Sequence, residues 1–178
     1  MLFTATTCGK PVAVRYPRGN GIGVPLDSEL TALEIGKGEV LLEGRDVAVL
    51  AVGATVYPAL AAAEKLREEG IAITVINARF IKPLDCGLLL KLAHSFKKFL
   101  TVEENVLMGG FGSAVLEFFE ENNIHDVRIK RLGIRDEFAE QATQAELRNI
   151  YGIDEQGIVT AVHEMVDVHR ASCLEAIL

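Results

Sequence analysis

Val47-Ala48-Val49-Leu50-Ala51-Val52 is an unbroken apolar run that stops at Gly53. A run with no polar alternate predicts a strand buried on both faces, the condition met in a parallel sheet covered by helices. Gly53 then provides a tight turn, and Thr55 stands where a helix N-cap belongs. Val56, Leu60, Ala63 and Leu66 recur at helical spacing, with Lys65 and Glu69 set as an i,i+4 pair on the opposite face. Gly70 ends this helix, and Ile71 to Ile76 predicts a second buried strand. Strand, helix and strand form a βαβ unit, whose crossover is right-handed.

Toward the C-terminus the pattern repeats. Asn77 to Leu84 reads as a loop in which Pro83 excludes helix, and Asp85 caps a helix carrying Leu88, Leu89, Leu92 and Phe96. Phe99 to Val102 predicts a third short strand, Glu103 to Gly112 a loop, and Ser113 the start of a helix with Val115, Phe118 and Phe119 inward. Val127 to Leu132 alternates basic and apolar residues, as an edge strand does. Thr143-Gln144-Ala145-Glu146 is a capping box for a short helix ended by Gly152. Asp154 caps the last helix, which places Ile158, Val162, Met165, Val166 and His169 on one side.

Toward the N-terminus, Glu39 to Leu42 is a short strand and Glu43 to Asp46 a turn. Residues 26–38 have weak periodicity and end in Gly36-Lys37-Gly38, which reads as a connection between domains. Val12 to Tyr16 predicts a strand that Pro17 ends, and residues 1–11 read as small and polar with a turn at Gly9-Lys10-Pro11. The expected organisation is one three-layer α/β/α sandwich with a mostly parallel sheet over residues 38–170. Residues 1–37 are then the remnant of another domain, and 171–178 a fraying tail.

The 178 residues are 49% hydrophobic and 24% charged, the mix of a globular protein. A net charge of −7, without a basic stripe or a tryptophan, argues against a nucleic-acid surface. Cys8, Cys86 and Cys173 are scattered and odd in number, which reads as reduced thiols. The apolar stretch from Val47 to Ala63 is interrupted by Gly53, Thr55, Tyr57 and Pro58, so no membrane span is expected. Met1-Leu2-Phe3 lacks the start of a signal peptide, and a cytoplasmic location is the expectation.

Candidate chemistry begins at Arg15-Tyr16-Pro17-Arg18-Gly19, followed by Asn20-Gly21-Ile22-Gly23. Two guanidinium groups at a strand end, beside a proline-stiffened turn and glycines, suit a phosphate or carboxylate. The other reading is an arginine-rich surface turn at a domain boundary. Gly53-Ala54-Thr55 precedes a helix N-terminus and could receive an anion, as many βα turns could. Met108-Gly109-Gly110-Phe111-Gly112-Ser113 is a glycine loop without the Lys-Ser/Thr ending of a P-loop. Close helix–strand packing, or contact with another domain, is the reason assigned to its glycines. Glu103 and Glu104 point to opposite sides of an extended segment, so they are read as solvent-exposed loop carboxylates rather than an acid/base pair. His163-Glu164 begins like a zinc helix, but Asp167 stands where the second histidine belongs. The other histidines, His94, His125 and His169, form no recognisable grouping.

Val14 to Asn20, Gly36 to Gly38, Ala78-Arg79-Phe80-Ile81-Lys82-Pro83-Leu84-Asp85 and Thr101 to Ser113 come in an order that resembles the 1-deoxy-D-xylulose-5-phosphate synthases. The resemblance is to their C-terminal part and runs from near residue 10 to about residue 165. It implies a transketolase-like C-terminal domain with a mixed five-stranded sheet. It also implies a transferase that depends on thiamine diphosphate and Mg2+ as a complete protein. That enzyme joins pyruvate to glyceraldehyde 3-phosphate with loss of CO2, and feeds isoprenoid, thiamine and pyridoxal synthesis. By its place after Tyr16-Pro17, Arg18 matches the family arginine that binds the aldehyde's phosphate. A fixed guanidinium on a phosphate dianion contributes roughly 2–4 kcal/mol once water is excluded. Arg15 is the second candidate, with an ion pair at the domain edge as its alternative role.

The departures are as informative. The family's Gly-Asp-Gly diphosphate and magnesium motif is absent from this sequence. So is the middle domain that carries the activating glutamate. No catalytic, cofactor-binding or metal-binding residue is therefore expected in this segment, which alone should be inactive. Glu140-Gln141-Ala142-Thr143-Gln144 also differs from the His-Gly or Gln-Gly that the family more often has there. The family resemblance implies a homodimer whose other contacts are the missing N-terminal and middle domains. Two competing readings are the C-terminal domain of another transketolase-like or split thiamine-dependent enzyme, and a non-catalytic interaction domain docking through its glycine loop and the 140s loop.

Overall fold

The computed structural model describes residues 1–16, 23 and 28–175, the last nine of these by backbone alone. Arg18, the His169 side chain and residues 176–178 therefore lie outside what is described. Five strands, β1 (Glu39–Leu42), β2 (Val47–Ala51), β3 (Ile73–Asn77), β4 (Lys98–Val106) and β5 (Arg128–Ile134), form a sheet of order β1-β3-β2-β4-β5. β2 runs parallel to β3 and β4, β4 runs parallel to β5, and only β1 is antiparallel to its neighbour. The expected mixed, mostly parallel sandwich is what the chain builds.

Its helices are α1 (Leu2–Thr7), α2 (Val56–Glu68), α3 (Cys86–Ser95), α4 (Phe111–Glu121), α5 (Gln144–Ile150) and α6 (Glu155–Glu175). The strand that decided the fold sits at the sheet centre with all five residues buried. Successive side chains take opposite faces. Val47, Val49 and Ala51 join Ala59, Ala63 and Leu66 of α2 and Ile158, Val162 and Met165 of α6. Ala48 and Leu50 join Leu89 and Leu92 of α3 and Val115, Phe118 and Phe119 of α4. That second layer is aromatic: Phe99 packs edge-on against Phe119 at 5.0 Å between ring centres. Each large side chain buried this way stabilises the fold by about 1.5–3 kcal/mol.

Several local expectations are corrected. β4 runs on through Glu103 and Glu104 to Val106, which pairs with Ile134 after a register shift beyond Val102. A polar pair can occupy a strand here because both carboxylates find partners. α4 starts at Phe111 rather than Ser113, its first amides being held by Glu103. Leu2 to Thr7 is helical, with buried Thr4 accepting the Leu33 amide at 2.8 Å. Val12 to Tyr16 joins no ladder, so the predicted strand is not formed with any described strand. Lys65 and Glu69 do not pair. Lys65 reaches Gln156 at 2.8 Å and Glu69 meets His163 at 2.6 Å, so both tie α2 to α6.

Other signals hold. The Asp85 carboxylate accepts the Leu88 amide at 3.0 Å as the α3 cap, and its other oxygen accepts the Gly38 amide at 3.1 Å. It thereby anchors the connection that enters the domain. The Asp154 carboxylate accepts the Gly157 amide at 2.8 Å at the start of α6. Among the described residues, no helix is long and apolar enough to cross a membrane.

Candidate functional site

Ligands in open α/β sheets sit beyond the carboxyl ends of the parallel strands. In this chain that region is built by the end of β4, the glycine loop into α4, the loop after β5, and α5. The Leu107 amide donates to the Ile134 carbonyl at 2.9 Å, which joins the two loops.

Glu103 dominates the geometry. It is wholly buried, and its two oxygens accept the Phe111 amide at 2.7 Å and the Gly112 amide at 2.8 Å. These are free first-turn donors at the positive end of the α4 dipole, where anions bind. The chain's own carboxylate therefore occupies the place an external phosphate would take. The glycines follow from this approach: a Cβ on Gly110 would lie 2.5 Å from a Glu103 oxygen, and one on Gly112 2.6 Å from Thr101 Oγ1. Close packing, one of the two reasons expected, thus accounts for Gly110 and Gly112, whereas Gly109 serves the turn through its φ of 68°. The expectation of solvent exposure at Glu103 fails, because the two amides satisfy the buried charge.

Glu104 turns the other way and takes a different partner, Arg148 Nε of α5 at 2.7 Å, with both side chains 23% exposed. The two glutamates are indeed no acid/base pair. Ser113 fixes the loop by accepting the Gly109 amide at 3.1 Å and donating to the Leu107 carbonyl at 2.8 Å. Arg131 of β5 donates to that same carbonyl and to the Ser113 hydroxyl, each at 2.9 Å. Arg131 and Arg148 were not legible as site residues, since each meets its partner only through the fold.

Of the two arginines proposed from sequence, Arg15 reaches this region. Its guanidinium donates to the Glu104 carbonyl at 3.4 Å and is otherwise exposed. Arg18 falls outside the described residues. The turn at Gly53-Ala54-Thr55 is committed internally, the Thr55 hydroxyl lying 2.9 Å from the carbonyls of both Val52 and Val102. It links β2 to β4, so Thr55 is spent on the strands and makes no side-chain cap on α2, contrary to expectation. The capping box at α5 forms as read. The Thr143 hydroxyl and amide both donate to Glu146, which lowers the pKa of that carboxyl, the hydroxyl contributing most.

His163 pairs with Glu69, and His125 lies 3.3 Å from Glu120. Among the described residues no group of acidic, histidine and cysteine side chains could hold a metal ion. An open cleft of about 330 Å3 lies between β5 and α6, lined in part by Lys130, Asn149, Asp154 and Glu164. Its polar groups are already engaged: Lys130 with Glu164, and Asn149 with Asp154 at 3.0 Å.

The sheet order, the buried βαβ unit and the packed glycine loop define a recognisable domain. Residues 36–158 match the model of the transketolase C-terminal domain, and the chain belongs to that family. Within it, the chain is similar to 1-deoxy-D-xylulose-5-phosphate synthases. It is 67% identical over all 178 residues to that of Syntrophus aciditrophicus, and 55% identical over 162 residues to synthase 1 of Geobacter metallireducens. It spans 27% of the first and 26% of the second, so it corresponds to about a quarter of these curated relatives, their C-terminal part.

Among solved structures, a split-gene transketolase described as an inactive β4 tetramer superposes with a TM-score of 0.71 and 36% identity. That match covers 77% of this chain and 44% of the other. A transketolase from Pichia stipitis shares the fold at a TM-score of 0.53 and 15% identity, over 76% of this chain and 19% of its own.

Proposed function

We propose that this chain is the C-terminal segment of a cytoplasmic 1-deoxy-D-xylulose-5-phosphate synthase. The complete enzyme would condense pyruvate with glyceraldehyde 3-phosphate and release CO2. The observation that carries this reading is the 67% identity to such a synthase over the whole chain. Thiamine diphosphate and Mg2+ would belong to the parts of the enzyme that precede this segment. The residues described here do not fit them: the α4 N-terminus, the natural diphosphate seat, is closed by Glu103, and no described side chains form a metal cluster. On this reading the segment would be inactive without the parts that precede it.

Residues 1–37 fit best as the tail of the middle, pyrimidine-binding domain plus a linker, residues 38–170 as the C-terminal domain, and 171–178 as a tail. Two features support the division. α1 leaves Leu2 64% exposed, and Val12 to Tyr16 carries strand-forming residues without a ladder partner among the described residues. Both suit elements whose neighbours precede this segment.

Arg18 would bind the phosphate of glyceraldehyde 3-phosphate. Arg15, held at the Glu104 carbonyl, better suits the domain edge. The test combines this chain with the separately produced preceding region. Thiamine-dependent decarboxylation of pyruvate should appear, and its failure in a stable complex would sink the assignment. In the active complex, Arg18→Ala should raise KM for the phosphorylated aldehyde about 30-fold, the equivalent of losing ~2 kcal/mol of charge-assisted hydrogen bonding. KM for pyruvate should move little, and an equal rise for both substrates would remove the phosphate role.

Self-association is the second part of the reading, as homodimers. The split-gene relative described as a β4 tetramer supports it. Sedimentation of the isolated chain should give a dimer or larger species, and a monomer at high concentration would assign the interface to the missing domains.

A further inference from the structure

We infer that Asp85 is a positioning residue of the complete synthase, fixing the connection that enters this domain at the end of the sheet where ligands sit. The inference rests on the functional reading above and adds a residue to it. Four consecutive residues of the connection meet the loop between β3 and α3. Gly36 takes a positive φ of 78°, and a Cβ there would lie 2.9 Å from Pro83 Cγ. The Lys37 ammonium stands 3.5 Å from the Asp85 carboxylate. The Gly38 amide donates to Asp85 at 3.1 Å, and Glu39, the first residue of β1, pairs with Arg79. A Cβ on Gly38 would meet the Asn77 carbonyl oxygen and the Leu88 side chain, each at 3.2 Å. The chain thus enters β1 packed against the loop and hydrogen-bonded to it, without the freedom of a flexible linker.

The place of this joint gives it a function. β3 and β4 both run parallel to β2, so the β3–α3 loop and the end of β4 stand at the same carboxyl end of the sheet. Arg15, at the other end of the connection, reaches that end too, its guanidinium on the Glu104 carbonyl at 3.4 Å. Between them the Leu33 amide donates to buried Thr4 of α1 at 2.8 Å. The connection is therefore held at Arg15, at Leu33 and at Gly38. The arginine turn starts from the first of these points, and the other two set how the chain beyond it returns to the domain.

Asp85 carries the joint because one carboxylate serves both sides of it. Its Oδ1 accepts the Leu88 amide at 3.0 Å as the α3 cap, while Oδ2 accepts Gly38. The side chain is 11% exposed, which shields the charge-assisted bond to Gly38 from water. Lys37 is 49% exposed, and its ion pair adds little. The two duties of Asp85 can be separated. Serine is as good a helix cap, but its single oxygen on a shorter side chain cannot hold Leu88 and reach Gly38 as well.

The test is Asp85→Ser, read by amide hydrogen exchange in the isolated chain and by steady-state kinetics in the complete synthase. Exchange at Gly38 should quicken about tenfold, the loss of one hydrogen bond to a charged group, while the Leu88 amide stays protected. In the synthase, KM for the phosphorylated aldehyde should rise about fivefold and KM for pyruvate should move little. A purely structural Asp85 would lower the folded, active fraction, and so kcat, with both KM values unmoved, and that result would overturn the inference. Equal Gly38 exchange in parent and variant would overturn it as well. Gly36→Ala strikes the same joint from the connection, through its positive φ and the Pro83 contact, and leaves the α3 cap alone. It should reproduce the KM split, and an unchanged KM for the aldehyde there would overturn the inference even if serine fails to cap α3. A parent synthase without thiamine-dependent activity would remove the functional reading instead, and Gly38 exchange would still decide whether the joint stands.

Discussion

Glu103→Ala is expected to lower the unfolding free energy by about 3–5 kcal/mol, from two buried amides left unsatisfied and the cavity opened beside them. The carboxylate is wholly buried and uses both oxygens, on the Phe111 and Gly112 amides. Its removal strands two donors, each worth roughly 1–3 kcal/mol when left unsatisfied, and leaves a void beneath Gly110. Glu103→Gln should fall between the parent and the alanine variant, since its amide can accept one of the two bonds but sets an NH2 group against the other. Urea denaturation of the isolated chain measures both. Formate adds a sharper readout: it is small enough for the vacated space and should raise the Tm of Glu103→Ala more than an equal concentration of chloride. An alanine variant within ~1 kcal/mol of the parent would show that water satisfies those amides and that the carboxylate is dispensable.

The second large effect is expected at Gly157→Ala. A Cβ there would lie 2.2 Å from the Gly152 carbonyl oxygen and 2.4 Å from its carbon, so only backbone can give way. That backbone is the joint between α5 and α6. Gly152 adopts a positive φ of 62°, and the next residue, buried Ile153, donates its amide to the Arg148 carbonyl at 2.9 Å. Shifting the joint disturbs the Ile153 packing and the Arg148 contact to Glu104 together. A loss of about 3 kcal/mol or more is expected, at the upper end of overpacking effects. Gly87→Ala is the matched control. It lies within α3, where an added methyl group would meet only a side-chain oxygen at 3.7 Å. There the helix preference for alanine should give up to ~1 kcal/mol of added stability. Similar stabilities for the two variants would mean that the α5–α6 joint yields freely.

The sequence made the centre of the sheet legible because burial on both faces leaves a one-dimensional signature: Val47 to Ala51 has no polar member, and all five residues are buried. Caps were legible for the same local reason, Asp85, Thr143 and Asp154 each acting within three residues of itself. Glu103 was misread because its partners lie eight and nine residues on and are backbone groups, which carry no residue type to recognise. Lys65 and Glu69 show the complementary error. Their spacing suits a pair within α2, but residues more than ninety positions away on α6 offer both of them partners. The arginine turn was flagged by composition and by resemblance, and only its Arg15 end can be placed against the domain.

A carboxylate seated on the first amides of α4 has a thermodynamic consequence for the domain. A helix start completed by a dissociable phosphate gains stability with the logarithm of ligand concentration, and loses it when the ligand is withdrawn. Here the anion is covalently part of the chain, so its local concentration does not vary with the solution. The start of α4 is thereby complete without any dissolved anion.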